Sequence, residues 1–239
     1  MSATRSLALD VGWPAGTAEV DAVLVDLDGT LLDTEPVWSA VAHALADRLG
    51  ATWSDEDDLR IVGWSVPAVA TLLRERGVPW GEARVVDALH DAVAERLAAS
   101  GVVPWREGAR ELLTAARAAG LPTGLVTMSH RRLTRAAADR FDVVVAGDEV
   151  SRPKPDPQAY LVAAAMLGVD PSRCLVVEDS PTGVGAGLAA GAWVAAVDPA
   201  QDVSGVAARI GGGAVERLVE VWLPVLAAHL DAGAPDRVA

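Results

Sequence analysis

Asp26 and Asp28 stand two residues apart, with Gly29 and Thr30 directly after them. Two carboxylates at i and i+2 ahead of a glycine make a turn that aims both acids at one point. Alone, the stretch reads equally as a solvated turn, because Asp and Gly favour turns. Thr127 ends the apolar run that starts at Leu121, and Ser129 follows it. Thr127 fits a strand residue, and Ser129 fits the N-cap of a helix from His130. Lys154 sits in Arg152-Pro153-Lys154-Pro155-Asp156-Pro157, which alone is a proline-rich turn. It is also the single lysine in the chain. Every other basic side chain is Arg, so Lys154 is either a survivor of codon bias or a place where a compact ammonium is needed. Glu178 and Asp179 close another apolar run, ahead of Ser180-Pro181, a helix-start signal. Adjacent acids at the end of a buried strand cost stability unless a cation joins them. A hard divalent cation is the natural partner.

The pieces gain force together, because they occur in order on the carboxyl ends of different β-α units. They supply three carboxylates for Mg²⁺, a hydroxyl and an ammonium. Phosphoryl transfer needs that set: a metal, fixed donors for phosphate oxygens, a nucleophile and an acid–base.

The elements that must hold these residues follow from hydrophobic patterning. Val20–Asp26 reads as a buried strand. Helical patterns follow, first over 36–50 with Gly50 as its stop, then over 54–100 as three helices punctuated by Gly63, Gly77 and Gly81. From Pro104 onward strands and helices alternate. Strands are expected at 121–127, 142–146, 173–178 and 192–197, and helices at 106–119, 130–140, 157–167 and 181–190. A closing amphipathic helix is expected at Val215–Leu230. Such alternation predicts an α/β fold, a doubly wound parallel sheet with an inserted α-helical cap. The expected core covers 19–32 and 104–231, the cap covers 33–103, and residues 1–18 and 232–239 read as frayed tails.

The chain has 239 residues, half of them hydrophobic, with a formal net charge of −13. That acidity disfavours nucleic acid and anionic membranes as partners. It also means that a phosphate site must bring its own positive charge. Cys174 is the only cysteine, so no internal disulfide can form. No signal peptide or membrane span is evident, and a cytoplasmic protein is expected.

Asp-Leu-Asp-Gly-Thr-Leu at Asp26, the strand-end Thr127, Lys154-Pro-Asp-Pro and Val-Val-Glu178-Asp179-Ser-Pro-Thr-Gly resemble the four signature motifs of the haloacid dehalogenase superfamily. The insertion after the first motif resembles the cap of its β-phosphoglucomutase-like branch. Leu32-Asp33-Thr34-Glu35-Pro36 is similar to the phosphatases there. The resemblance implies a Mg²⁺-dependent phosphatase acting on a small phosphate ester, a sugar or polyol phosphate, through an aspartyl phosphate. It makes Asp26 the nucleophile and Asp28 the acid–base. The metal would be held by Asp26, the Asp28 backbone carbonyl and Asp179, with Glu178 binding or orienting its shell. Thr127, Ser129 and Lys154 would hold phosphate oxygens. Trp64 and Glu35 are the residues expected to select the substrate, Trp64 from a loop facing the site. His130 fits a helix start or catalysis equally.

Four rivals share parts of this pattern. A phosphomutase needs a second phosphate grip resembling Gly-x-Ser-Arg, where this chain has Gly63-Trp64-Ser65-Val66. It also carries a His five residues after the acid that Asp33 matches, where this chain has Trp38. Arg74 or Arg76 is left as a substitute grip. A phosphonatase needs a cap lysine, and residues 33–103 have none. A dehalogenase lacks the second acid of the first motif, which Asp28 supplies. A non-catalytic phosphometabolite-binding protein usually lacks a catalytic group, and none is missing here.

Overall fold

The computed structural model describes residues 7–10, 17–61, 64–135 and 137–197. The helix expected at Val215–Leu230 and the tail expected at 232–239 lie outside the described residues. Leu7–Asp10 (β1) and Thr17–Val20 (β2) pair as an antiparallel ribbon, where a frayed tail was expected. Glycines and a proline between the two short runs masked the hairpin in the sequence.

The main sheet contains β3 (Ala22–Val25), β4 (Thr123–Val126), β5 (Val143–Val145), β6 (Cys174–Glu178) and β7 (Trp193–Ala196). Its order is β5-β4-β3-β6-β7, and every pairing is parallel. From β3 the chain builds outward to β4 and β5, then returns to β6 on the other side of β3. That reversal opens a crevice at the carboxyl ends of the central strands, the usual ligand position in open α/β sheets.

Alternation along β3 feeds two cores. Val23 and Val25 join Leu112, Leu125 and Val177 on one face. Ala22 and Leu24 join Tyr160, Ala163 and Val176 on the other. Helix α5 (Ala109–Ala118) supplies Leu112 to the first face, and α7 (Gln158–Leu167) and α8 (Pro181–Ala189) pack on the second. Between them, α6 spans only Arg131–Thr134 and gives way to a 3₁₀ turn at Ala138–Arg140. The expected helix over 130–140 is thus broken. The Thr134 hydroxyl bonds back to the Arg131 carbonyl at 2.8 Å, a local bond that competes with continued helix.

Four helices lie between β3 and α5: α1 (Glu35–Leu49), α2 (Asp55–Arg60), α3 (Val66–Glu75) and α4 (Glu82–Ser100). Pro36 lies in the first turn of α1, and Gly50 at φ +69° closes the helix by donating to the Ala46 and Asp47 carbonyls. Ser54 and Asp57 cap α2 reciprocally. These helices share a third core of Val41, Leu45, Leu73, Val85 and Leu89, to which α6 contributes Leu133. No described helix is long and apolar enough to cross a membrane.

Candidate active site

The turn after β3 is built on three leucines. Leu27, Leu31 and Leu32 are buried to 1% exposure or less, each contributing about 1.5–3 kcal/mol. Leu31 and Leu32 donate their N–H groups to the Leu27 carbonyl, and Gly29 donates to that of Leu32. Gly29 takes φ +80°, and a Cβ there would lie 2.0 Å from an Asp179 oxygen. Only glycine fits both conditions.

Strand register brings the acids together. Val25 lies opposite Val177, and the Asp26 N–H donates to the Val177 carbonyl at 3.0 Å. Asp26 is therefore level with Glu178 on the adjacent strand. Oxygens of Asp26, Glu178 and Asp179 lie within 4.8 Å of one another. Thr30, 149 residues from Asp179 in sequence, donates its hydroxyl to Asp179 Oδ1 at 2.9 Å.

Lys154 reaches this cluster from its proline-flanked loop. Its Nζ donates to Asp26 Oδ1 at 2.7 Å, to Glu178 Oε1 at 2.6 Å and to the Val126 carbonyl at 2.9 Å. All three ammonium donors are used. Glu178 is fully buried and doubly committed. Its Oε1 also accepts from the Tyr160 hydroxyl at 2.8 Å, and its Oε2 accepts from the backbones of Asp179 and Ser180 and from the Ser180 hydroxyl.

Burial pushes the Asp26 carboxyl well above the usual carboxylate range. The Lys154 charge pulls it down, while Glu178, Asp179 and Asp28 push it further up. Burial and the Glu178 charge also raise Asp179, to about 7. Burial alone would depress Lys154, but the charges and hydrogen bonds of Asp26 and Glu178 outweigh it and raise its pKa. Three clustered carboxylates face one ammonium. The remaining negative charge is what a hard divalent cation neutralises, so the donor set fits Mg²⁺.

A second group, His43, Asp55 and Asp58, also brings donors within 4.8 Å, on α1 and α2. There His43 Nδ1 and Asp58 Oδ2 already bond each other at 2.7 Å, and Trp53 occupies the other Asp58 oxygen.

Asp28 points across the crevice. Oδ1 accepts from the Thr34 hydroxyl at 2.7 Å and the Trp38 indole at 3.2 Å. Oδ2 accepts from the Thr127 hydroxyl at 3.3 Å and the Ser129 hydroxyl at 2.6 Å. The two hydroxyls read from sequence as phosphate donors thus meet on Asp28. Ser129 does not cap a helix; His130 stands at the N-cap position of α6, without a side-chain cap bond. Thr34, Trp38, Thr30 and Tyr160 were not among the expected site residues. The first three lie close to Asp28 in sequence, which was the available signal, while Tyr160 looks like an ordinary core residue.

Trp64 is 39% exposed, and the ring contact described for it is the Arg60 guanidinium, 5.3 Å from its centroid. Glu35 opens α1 as the acidic residue of its first turn, where it suits the helix dipole. Neither makes a described contact with the carboxylate cluster. Arg76 donates to both carboxylate oxygens of Asp57, at 2.6–3.1 Å. Cys174 is buried, and burial pushes its thiol up to about 12, which makes it inert.

The sequence model of the haloacid dehalogenase-like hydrolases matches residues 20–191. The chain belongs to that family. It is 36% identical over 184 residues to N-acetylmuramic acid 6-phosphate phosphatase of Pseudomonas aeruginosa, covering 74% of this chain and 80% of that one. Protein CbbY of Rhodobacter capsulatus is 35% identical over 190 residues, with 72% and 83% covered. The bifunctional riboflavin kinase/FMN phosphatase of Arabidopsis thaliana is 33% identical over 183 residues, and this chain spans 48% of its length. Among solved structures, a CbbY variant from Rhodobacter sphaeroides with xylulose-(1,5)bisphosphate superposes with a TM-score of 0.64 at 27% identity, covering 75% of this chain and 88% of that one. The chain is thus an enzyme of the hydrolase class, alongside relatives named as phosphatases of phosphoric monoesters.

Among the glycines described, Gly183 is the tightest fit. A Cβ there would lie 1.8 Å from Glu178 Oε1. Gly183→Ala is expected to push Glu178 off Lys154 and Tyr160 and to cost about 2–3 kcal/mol, with turnover lost alongside. Urea denaturation checks the stability, and unchanged stability would contradict this packing.

Proposed function

We propose that the protein is a Mg²⁺-dependent phosphatase of small phosphate esters, sugar or polyol phosphates, working through an aspartyl phosphate. The observation that carries this reading is the buried cluster of Asp26, Glu178 and Asp179 with the Lys154 ammonium bridging Asp26 and Glu178. The relatives named for phosphorylated sugars support the substrate class.

Asp26, the Asp28 backbone carbonyl and Asp179 would hold Mg²⁺. Glu178, with both oxygens occupied, orients the others. When bound, the ion neutralises phosphate charge and polarises the phosphoryl group. An Asp26 oxygen attacks phosphorus, and the bond from phosphorus to the leaving oxygen breaks. Asp28 gives a proton to that oxygen. Water then attacks the aspartyl phosphate, Asp28 takes its proton, and the Asp26 carboxylate is restored. The Thr127 and Ser129 hydroxyls pass from Asp28 Oδ2 to phosphate oxygens, which frees that oxygen to face the leaving group. Helices α1–α4 form a cap that closes over the crevice and excludes water. On this reading it works in the cytoplasm on small metabolites, which its acidity favours over nucleic acid or anionic membranes.

The test is phosphate release from a panel of sugar, polyol and nucleotide phosphates, with Mg²⁺ and after chelation. We expect release from a sugar or polyol phosphate that chelation abolishes and added Mg²⁺ restores. Release that survives chelation would overturn the metal assignment. No release from any ester would favour the mutase or binding readings.

A further inference from the structure

Trp38 stands where the phosphomutase pattern has His, and the hydrolysis scheme above leaves it without a task. Its indole N–H donates to Asp28 Oδ1 at 3.2 Å, beside the Thr34 hydroxyl on the same oxygen. The ring is held from behind. His90, on α4, packs against it edge to face, with centroids 5.3 Å apart at 88°. His90 in turn stacks on His130 at 3.7 Å and 8°. His130 Nδ1 accepts from Arg132 at 2.9 Å, and Arg132 reaches back to α4 through ion pairs with Asp91 and Asp87.

His90 is built as a neutral spacer in this column. Its Nδ1 donates to the Val86 carbonyl at 2.8 Å, and its Nε2 is buried without a hydrogen-bond partner. Burial lowers its pKa to about 4, which keeps the ring uncharged against His130 and Arg132. Two neutral or singly charged rings can stack this closely, whereas two imidazolium ions would repel. The column therefore runs without a break from α4, through three rings, to one oxygen of Asp28.

We propose that Trp38 is a positioning residue for Asp28, fixing the carboxylate through its indole N–H, with the His90–His130 stack transmitting the position of α4 to it. This rests on the reading of Asp28 as the acid–base. The proton that Asp28 delivers reaches the leaving oxygen only when α4 lies against the Ser129–Leu133 segment, because His90 and His130 come from opposite sides of that contact.

Trp38→Phe keeps an aromatic ring, a smaller one, and removes the donor. The measurement is kcat/KM for glycerol 3-phosphate, whose alkoxide needs the proton, and for p-nitrophenyl phosphate, whose phenolate leaves without it. The ratio of the first to the second should fall at least tenfold in the variant. Equal losses on both esters would mean that the tryptophan merely supports the fold, and would overturn the proposal. A second measurement needs no turnover. In the ¹H–¹⁵N spectrum of the wild type, the Trp38 indole N–H, assigned by its absence in Trp38→Phe, should move upfield in Asp28→Ala. An unmoved resonance would overturn the proposal even if the protein hydrolyses no ester, and a moved one would sustain the contact whatever the substrate proves to be.

Discussion

Asp26→Asn abolishes phosphate release, by at least about a thousandfold in kcat, while thermal stability holds or rises. The amide fills the carboxylate's volume, so the packing at the end of β3 is unchanged. The Lys154 ammonium keeps its bonds to Glu178 and Val126. What disappears is the nucleophile and a charge that the site buries at a cost, since burial is the largest influence raising the Asp26 pKa. Phosphate release together with a melting curve separates the two effects. Retained turnover would remove Asp26 from the chemistry, and a collapsed melting temperature would mean that the charge holds the fold.

Lys154→Ala carries the second large effect and strikes stability as well as activity. The side chain is 97% buried, since its relative exposure is 3%, and it bridges two buried carboxylates. Removing it leaves Asp26 and Glu178 facing each other without the ammonium, which costs about 3–5 kcal/mol by the general behaviour of broken buried ion pairs. Lys154→Arg is expected to fail as well, because a planar fork cannot direct three bonds to Asp26, Glu178 and the Val126 carbonyl as a compact ammonium does. Urea midpoints with and without Mg²⁺ test this. The alanine variant should be the less stable protein in both, with the larger part of its loss recovered on adding the ion. A variant as stable as the wild type without Mg²⁺ would deny the bridge.

Much of this architecture was legible because each central strand is a short apolar run ending in a polar residue that is too costly to bury unpaired. Asp26, Thr127 and Glu178 marked the carboxyl ends of β3, β4 and β6 for that reason, and the lone lysine marked the loop that serves them. Contacts that depend on three-dimensional packing were illegible. Tyr160 sits in an apolar helix, and nothing in its neighbours shows that its hydroxyl lies under Glu178. Trp64 was read as substrate-facing from a tryptophan near a glycine, and its described ring contact is with the Arg60 guanidinium. The ribbon of Leu7–Asp10 and Thr17–Val20 was missed because two four-residue strands, with glycines and a proline in the sequence between them, carry too little alternation to outweigh their terminal position.

The pairing of β3 with β6 has a consequence for how the enzyme comes to exist in time. Thr30 and Asp179 meet across a separation of 149 residues, so the chain cannot acquire its acidic cluster by local folding. A growing polypeptide that has released β3, helices α1–α5 and β4 still lacks Glu178 and Asp179, two of the three acids of the cluster at Asp26. Contacts of such long range form slowly, because a large loop must close before they repay its entropy. The complete cluster therefore arrives late, when β6 docks, and a chain interrupted before that strand carries the proposed nucleophile without its acidic and cationic neighbours in place.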